Sequence, residues 1–272
     1  MKMKLNRIKL LGKGGFASVF LEQDEISKKL FATKIINEKK IPPQAKIYLQ
    51  NEITILSIIK RINIIKLYHV LKSQDYTFLV MEYCNGGSLH KNLYEYINKY
   101  GQPFPEQLVQ RLMKKILTGV NYLHQKGIIH RDLKLGNILL NYENKLIKDI
   151  YSAEIKIIGF NSSYLPGSSE PKTFIETVPN MAPSVVQNLF KTHFYNEKID
   201  IWSLGIICYE MLFGRPLFSN MNDNEIINNN NFRIPTTISV QARNFLKSML
   251  QKDGNNRLSS SQLLNHDFII GD

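Results

Sequence analysis

The string Ile129 to Leu140, IHRDLKLGNILL, constrains this chain more than any other stretch. It sets a histidine, an arginine, an aspartate, a lysine and an asparagine (His130, Arg131, Asp132, Lys134 and Asn137) at fixed offsets, then runs into apolar Ile138-Leu139-Leu140. A second constraint lies far upstream. There Gly12-Lys13-Gly14-Gly15-Phe16-Ala17-Ser18-Val19 sits between two β-prone runs. Glycine at such a turn lets the backbone approach a ligand closely, with amide N–H groups turned toward phosphate oxygens. A chain of 272 residues, 43% of them apolar, is long for one small domain and normal for one two-lobed unit with a sizeable core.

The order of patterns supports two lobes. Ile8 to Leu11 and Ser18 to Leu21 flank the glycine turn, and Leu30 to Ile36, Lys66 to Val70 and Thr77 to Met81 are further β-prone runs. Between them, from Ala45 to Arg61, Ile47, Ile55, Leu56 and Ile59 recur near the helical period. After Asn85-Gly86-Gly87 the chain turns helical. Pro105-Glu106 opens a helix whose Leu108, Leu112, Ile116, Val120 and Leu123 step along one face. Asp200 to Leu212 is apolar nearly all round, as in a centrally buried helix, with Gly214 as its C-cap. Gln241 to Leu250 and Ser260 to Leu264 add shorter helices. The expected class is α+β: a strand-rich lobe with one helix over residues 1–83, a mainly helical lobe over 84–272, and a cleft between them.

The bulk properties narrow the setting. The formal charge of +12 would suit nucleic acid or an anionic surface, but the lysines are scattered, with no dense basic block beyond short pairs such as Lys39-Lys40 and Lys114-Lys115. A solvated basic surface is the expected reading, without nucleic-acid binding. Asn228 to Asn231 reads as a polar loop. Cys84 and Cys208 imply no disulfide framework and a reducing compartment. The opening MKMKLNRIKLLGKGG has too short an apolar run for a signal peptide, and no run approaches the ~20 apolar residues of a membrane span. An intracellular protein, cytoplasmic or nuclear and without a membrane partner, is expected.

Lys34 follows the glycine turn, flanked by apolar Phe31, Ala32, Ile35 and Ile36. A charge so placed points into a sheet face or cleft and needs a partner, and Glu52 in the middle of the helix is the candidate. With His130, Arg131, Asp132, Lys134 and Asn137 added, the chain resembles a eukaryotic serine/threonine protein kinase over essentially its whole length. The resemblance implies a bilobal fold that holds ATP. Leu11, Gly12, Gly14, Val19, Ala32, Lys34 and Glu52 would surround it from the strand-rich lobe. Glu82 and Cys84 would meet adenine at a hinge, Met81 would line the back of the pocket, and Leu139 would close it. Asp132 would accept the hydroxyl proton of a protein substrate, Lys134 would neutralise the γ-phosphate, and Asn137 would bind magnesium. Cys84 would be a packing residue rather than a nucleophile. Phe160 would stack with His130 and Leu56. Asp200, Trp202 and Gly205 match the family's buried helix, and Arg257 a late structural arginine. GKGGFA and HRDLKLGN resemble polo-like kinases. Asn85-Gly86-Gly87-Ser88-Leu89 and the stretch after Leu140 look more like Unc-51-like kinases, which are favoured.

Two stretches depart from that family. Where it carries Asp-Phe-Gly, this chain reads Gly159-Phe160-Asn161. Glycine offers magnesium no side-chain oxygen, and losing that ligand implies transfer slower by roughly a thousandfold or more. Asn161, Asp149 and Glu154 are expected to be poor substitutes. Ser184, in Met181-Ala182-Pro183-Ser184, stands where the family has a glutamate for Arg257, which is therefore expected to lose its buried partner. Glu176-Thr177-Val178-Pro179-Asn180 also lacks the family's Gly-Thr-Pro order. The expectation is a pseudokinase that binds ATP at most, with magnesium weakened or absent, and acts through protein partners. The rival is a working serine/threonine kinase. Arg131 keeps open activation by phosphorylation at Ser168, Ser169, Thr173 or Thr177.

Overall fold

The computed structural model describes residues 4–143, 149–166, 196–218 and 233–271. Ser168, Ser169, Thr173, Thr177, the whole of 176–184 with Ser184, and Asn228 to Asn231 lie outside the described residues.

The first lobe is an antiparallel sheet of β1 (Leu5–Lys13), β2 (Ala17–Asp24), β3 (Leu30–Asn37), β4 (Leu67–Lys72) and β5 (Tyr76–Glu82), in the order β1-β2-β3-β5-β4. Register does the positioning. Val19 opposes Lys34, which opposes Leu79, and Leu21 opposes Ala32, which opposes Met81. Directly paired residues share a face, as do residues two apart in one strand. Val19, Ala32, Lys34 and Met81 therefore fall on one side of the sheet.

Helix α1 (Lys46–Ile58) buries Asn51, Glu52, Ile55 and Leu56, a single stripe of adjacent turns. It stops three residues short of the expected Arg61. Ile59 is already extended, and the Lys60 N–H donates to the Tyr122 hydroxyl at 3.0 Å. The chain must straighten here, because Asn63 and Ile65 bond to the backbone of Ile157 in the second lobe.

The second lobe begins with α2 (Leu89–Tyr100), capped by Ser88, which accepts from the Lys91 N–H, and ended by left-handed Gly101. Helix α3 (Glu106–Gln125) buries the predicted stripe from Leu108 to Leu123. A two-stranded ribbon follows, β6 (Ile138–Asn141) against β7 (Glu154–Ile157). Helix α4 (Lys198–Phe213) is buried on nearly every face and ends at Gly214, with φ 67°. A Cβ on Gly205 would lie 2.6 Å from Leu250, so glycine lets α4 approach α5 (Val240–Met249). Two short helices, α6 (Ser260–Leu264) with a capping box and α7 (Asp267–Ile270), complete the described lobe.

Candidate active site

A cleft of roughly 1440 Å³ opens between the lobes. Leu11, Gly12, Val19, Ala32, Lys34 and Glu52 line it from the sheet and α1. Met81, Glu82 and Cys84 line it at the connection, and Leu139, Ile158, Gly159 and Phe160 from below. Gly14 is not part of the wall. Its N–H donates to the Ala17 carbonyl at 2.8 Å and so closes the glycine turn. The Lys34 ammonium donates to both oxygens of Glu52 at 2.6 and 2.7 Å. The lysine is 21% exposed and the glutamate 6%, so the pair is held at the cleft's edge and answers the need set by burying a charge.

The connection is clasped onto β6. The Asn85 amide donates to the Tyr142 carbonyl at 2.8 Å and accepts from the Tyr142 N–H at 2.9 Å, as a paired strand residue would. Gly86 N–H reaches the Leu140 carbonyl at 2.9 Å, and a Cβ on Gly86 would fall 2.6 Å from the Tyr142 ring. Here the glycine exists for close approach. Cys84 is buried, and burial, reinforced by Glu82, pushes its thiol up to about 12. Such a thiol is inert, in line with a packing role.

Below the cleft, the string from Ile129 to Leu140 is fastened from behind. The Asp200 carboxylate is fully buried in α4 and accepts from the His130 and Arg131 N–H groups at 2.8 and 2.9 Å, and from His124 at 2.9 Å. Burial alone would raise this carboxyl. The donors, His124 first, outweigh it and hold it below the ordinary value. Arg131 accepts a left-handed φ of 67°, and its guanidinium lies over Tyr164. His130 is buried, which lowers its affinity for protons. Its Nε2 lies 2.9 Å from the Ile158 carbonyl, and its ring meets Phe160 edge-on at 4.9 Å. Phe160 is fully buried, and the α1 residue Leu56 is 3% exposed in the same core. The expected stacking of Phe160 on His130 is therefore present.

At the front of the loop, the Lys134 ammonium lies 2.9 Å from Asp132 Oδ1. The Asn137 amide donates to the Asp132 carbonyl at 2.7 Å and to its Oδ2 at 2.8 Å. The three predicted residues thus converge. Gly159 is the departure, and the structure gives it a second meaning. Its φ is 88°, and an added Cβ would lie 2.8 Å from Asn137 Nδ2 and 2.9 Å from its Cγ. The space of a side chain is taken by Asn137, which Asp132 holds in place. Gly159 adds no side-chain oxygen for magnesium to that of Asn137. The candidate oxygens are those of Asn137 and Asp132, and no group of three or more His, Cys, Asp or Glu able to hold a metal occurs among the described residues. The suggested substitutes are engaged elsewhere. Asp149 accepts from Tyr151 N–H, Glu154 faces Lys156 at 3.9 Å, and Asn161 is exposed with its amide toward Ser162.

Arg257 forms no ion pair with a carboxylate among the described residues, and Ser184 lies outside them. Arg257 is 2% exposed and donates to the carbonyls of Gln251 and Lys198 at 2.8 Å and of Lys252 at 3.2 Å, with Trp202 beneath its guanidinium. Burial lowers its pKa to about 10. Backbone dipoles and an aromatic face serve where the family has a carboxylate.

The model for the protein kinase domain matches residues 5–269. The chain belongs to the protein kinase domain family. Members use ATP and magnesium and act on protein substrates. This kinase domain is 35% identical over 271 residues to calcium-dependent protein kinase 4 of Plasmodium berghei, covering 96% of this chain and 48% of that one. It is 32% identical to serine/threonine-protein kinase ATG1a of Arabidopsis thaliana, covering 95% and 40%. With the SNF-related serine/threonine-protein kinase of Homo sapiens the figures are 28%, 97% and 33%. The chain spans about half or less of the length of these curated relatives. Among its described residues no helix is long and apolar enough to cross a membrane.

Proposed function

We propose that this domain binds an adenine nucleotide and is impaired in phosphoryl transfer, so that it works chiefly through a protein partner. The observation that carries the reading is Gly159, a residue without a side-chain oxygen in left-handed backbone, with the Asn137 amide filling the place of a side chain. Leu11, Gly12, Val19 and Ala32 would cover the base, Glu82 and Cys84 would meet it through their backbone, and Leu139 would lie beneath. Lys34, held by Glu52, would take the phosphates. ATP, when bound, would supply the phosphoryl group and magnesium its charge neutralisation. The chain itself offers Asp132 to accept a hydroxyl proton and Lys134 to offset negative charge. One of the two expected metal ligands is absent.

The second reading, an active serine/threonine kinase, is favoured by the closed Lys34–Glu52 pair and the gathered Asp132, Lys134 and Asn137. Its relatives are also named as kinases. Of the two subfamily resemblances, likeness to ATG1a supports the Unc-51-like one. Two free, buried cysteines suit a reducing intracellular setting such as the cytoplasm.

Transfer from labelled ATP to a generic basic protein and to the chain itself decides between the readings, with magnesium and then manganese and with Asp132→Asn as the blank. The proposal expects no turnover above the blank. Turnover that depends on Asp132 would overturn it. Gly159→Asp, which supplies an oxygen only by displacing Asn137, asks whether that ligand alone is lacking.

A further inference from the structure

The strand that leads to Gly159 carries a charge that nucleotide binding leaves unexplained. Lys156 lies in β7 and is 6% exposed. It opposes Leu139, so the two share a face at the floor of the cleft. Its ammonium reaches Glu82 Oε1 at 3.0 Å, whereas Glu154, at 3.9 Å, is 45% exposed. Glu82 is the last residue of β5, and its other oxygen accepts from the Lys66 N–H at 3.3 Å.

Strand β7 does not need this lysine for its own anchorage. Ile157 N–H donates to Asn63, Ile65 N–H donates to Ile157, and the Ile158 carbonyl sits on His130. What the Lys156 side chain adds is a tie between the floor and the residue that begins the connection. A buried ammonium is retained only with a partner, and here the partner belongs to the segment expected to meet adenine.

We propose that Lys156 is a positioning residue of the nucleotide site. By holding the Glu82 carboxylate it fixes the segment 82–84 over Leu139, and so sets the affinity for the adenine ring without touching it. This rests on the nucleotide-binding reading given above.

The test is calorimetric titration of adenosine, ADP and tripolyphosphate into the unchanged chain, Lys156→Met, Glu82→Gln and the double variant. Lys156→Met is expected to weaken adenosine and ADP alike, by about tenfold, and to leave tripolyphosphate unchanged. Glu82→Gln should act on adenosine in the same way, and the double variant should bind it no worse than the weaker single variant. Equal adenosine affinity in Lys156→Met and the unchanged chain overturns the proposal, as do additive losses in the double variant. A matching loss of tripolyphosphate does so too, since that marks general loosening. If the unchanged chain binds neither adenosine nor ADP, the nucleotide reading falls and this proposal falls with it.

Discussion

Along the strand-rich lobe and the connection, side chains meet partners that complete them: Lys34 with Glu52, Lys156 with Glu82, Asn85 with the backbone of Tyr142. At the metal end, Asn137 turns its amide toward Asp132 and packs on a glycine where an aspartate would stand in the family. The loop that carries Asp132 and Asn137 is not loosened, because Asp200 grips it from below. The departure at Gly159 is therefore local. A site can keep its shape and its grip on a ligand while losing the group that completes its chemistry, since anchoring and chemistry rest on different residues.

The largest effect should come from breaking the shared anchor. Asp200→Ala leaves the His130 and Arg131 N–H groups and His124 without their acceptor in a buried site, and should cost about 3–5 kcal/mol in urea unfolding. A loss below about 1 kcal/mol would mean that the loop is held by something else. Next is the nucleotide-gripping side of the cleft. Lys34→Met strands Glu52 and removes a phosphate partner, so ATP affinity measured by calorimetry should fall about tenfold to a hundredfold. Unchanged affinity would erase the contrast between the two regions.

Gly159 is the sharpest probe of the metal end. Gly159→Ala places a Cβ against Asn137 at positive φ and should cost about 1–3 kcal/mol of stability, with Gly159→Asp costing less because aspartate tolerates left-handed backbone better. A neutral Gly159→Ala would show that Asn137 yields freely. The smallest effect is on pH. His130 is buried and its folded pKa lies below the ordinary 6.5, so its neutral form contributes stability above that value and the contribution is lost as pH falls toward the folded pKa. His266, lowered by burial, acts in the same direction. Melting temperature should decline steadily from about pH 7 to about pH 5. A flat profile would contradict a neutral, buried His130.

The groups that carry chemistry were legible in the sequence because each sits in a short string with fixed offsets. His130 to Asn137, Lys34 and Phe160 needed no knowledge of what approaches them. Strand and helix positions followed from period, and α1 was overextended because its end is decided by distant Tyr122 and Ile157. Asn85 read only as part of a subfamily-like string, although its pairing with Tyr142 depends on two segments meeting. The Lys156–Glu82 pair left no local signal beyond one lysine in an apolar strand. The carbonyl partners of Arg257 left no signal for a related reason, since backbone acceptors are invisible in residue letters. Gly159 read as a missing oxygen, and only the backbone angle and the Asn137 contact show that it is also a space already used.

The central claim is that the cleft grips nucleotide without help from its metal end. Titration of ATP into the unchanged chain, in magnesium and then in EDTA, tests it most directly. The account predicts measurable binding whose affinity changes by less than about threefold between the two conditions, under 1 kcal/mol. Binding that appears only with magnesium, or tightens by about tenfold or more in it, would show a working metal site and contradict the account.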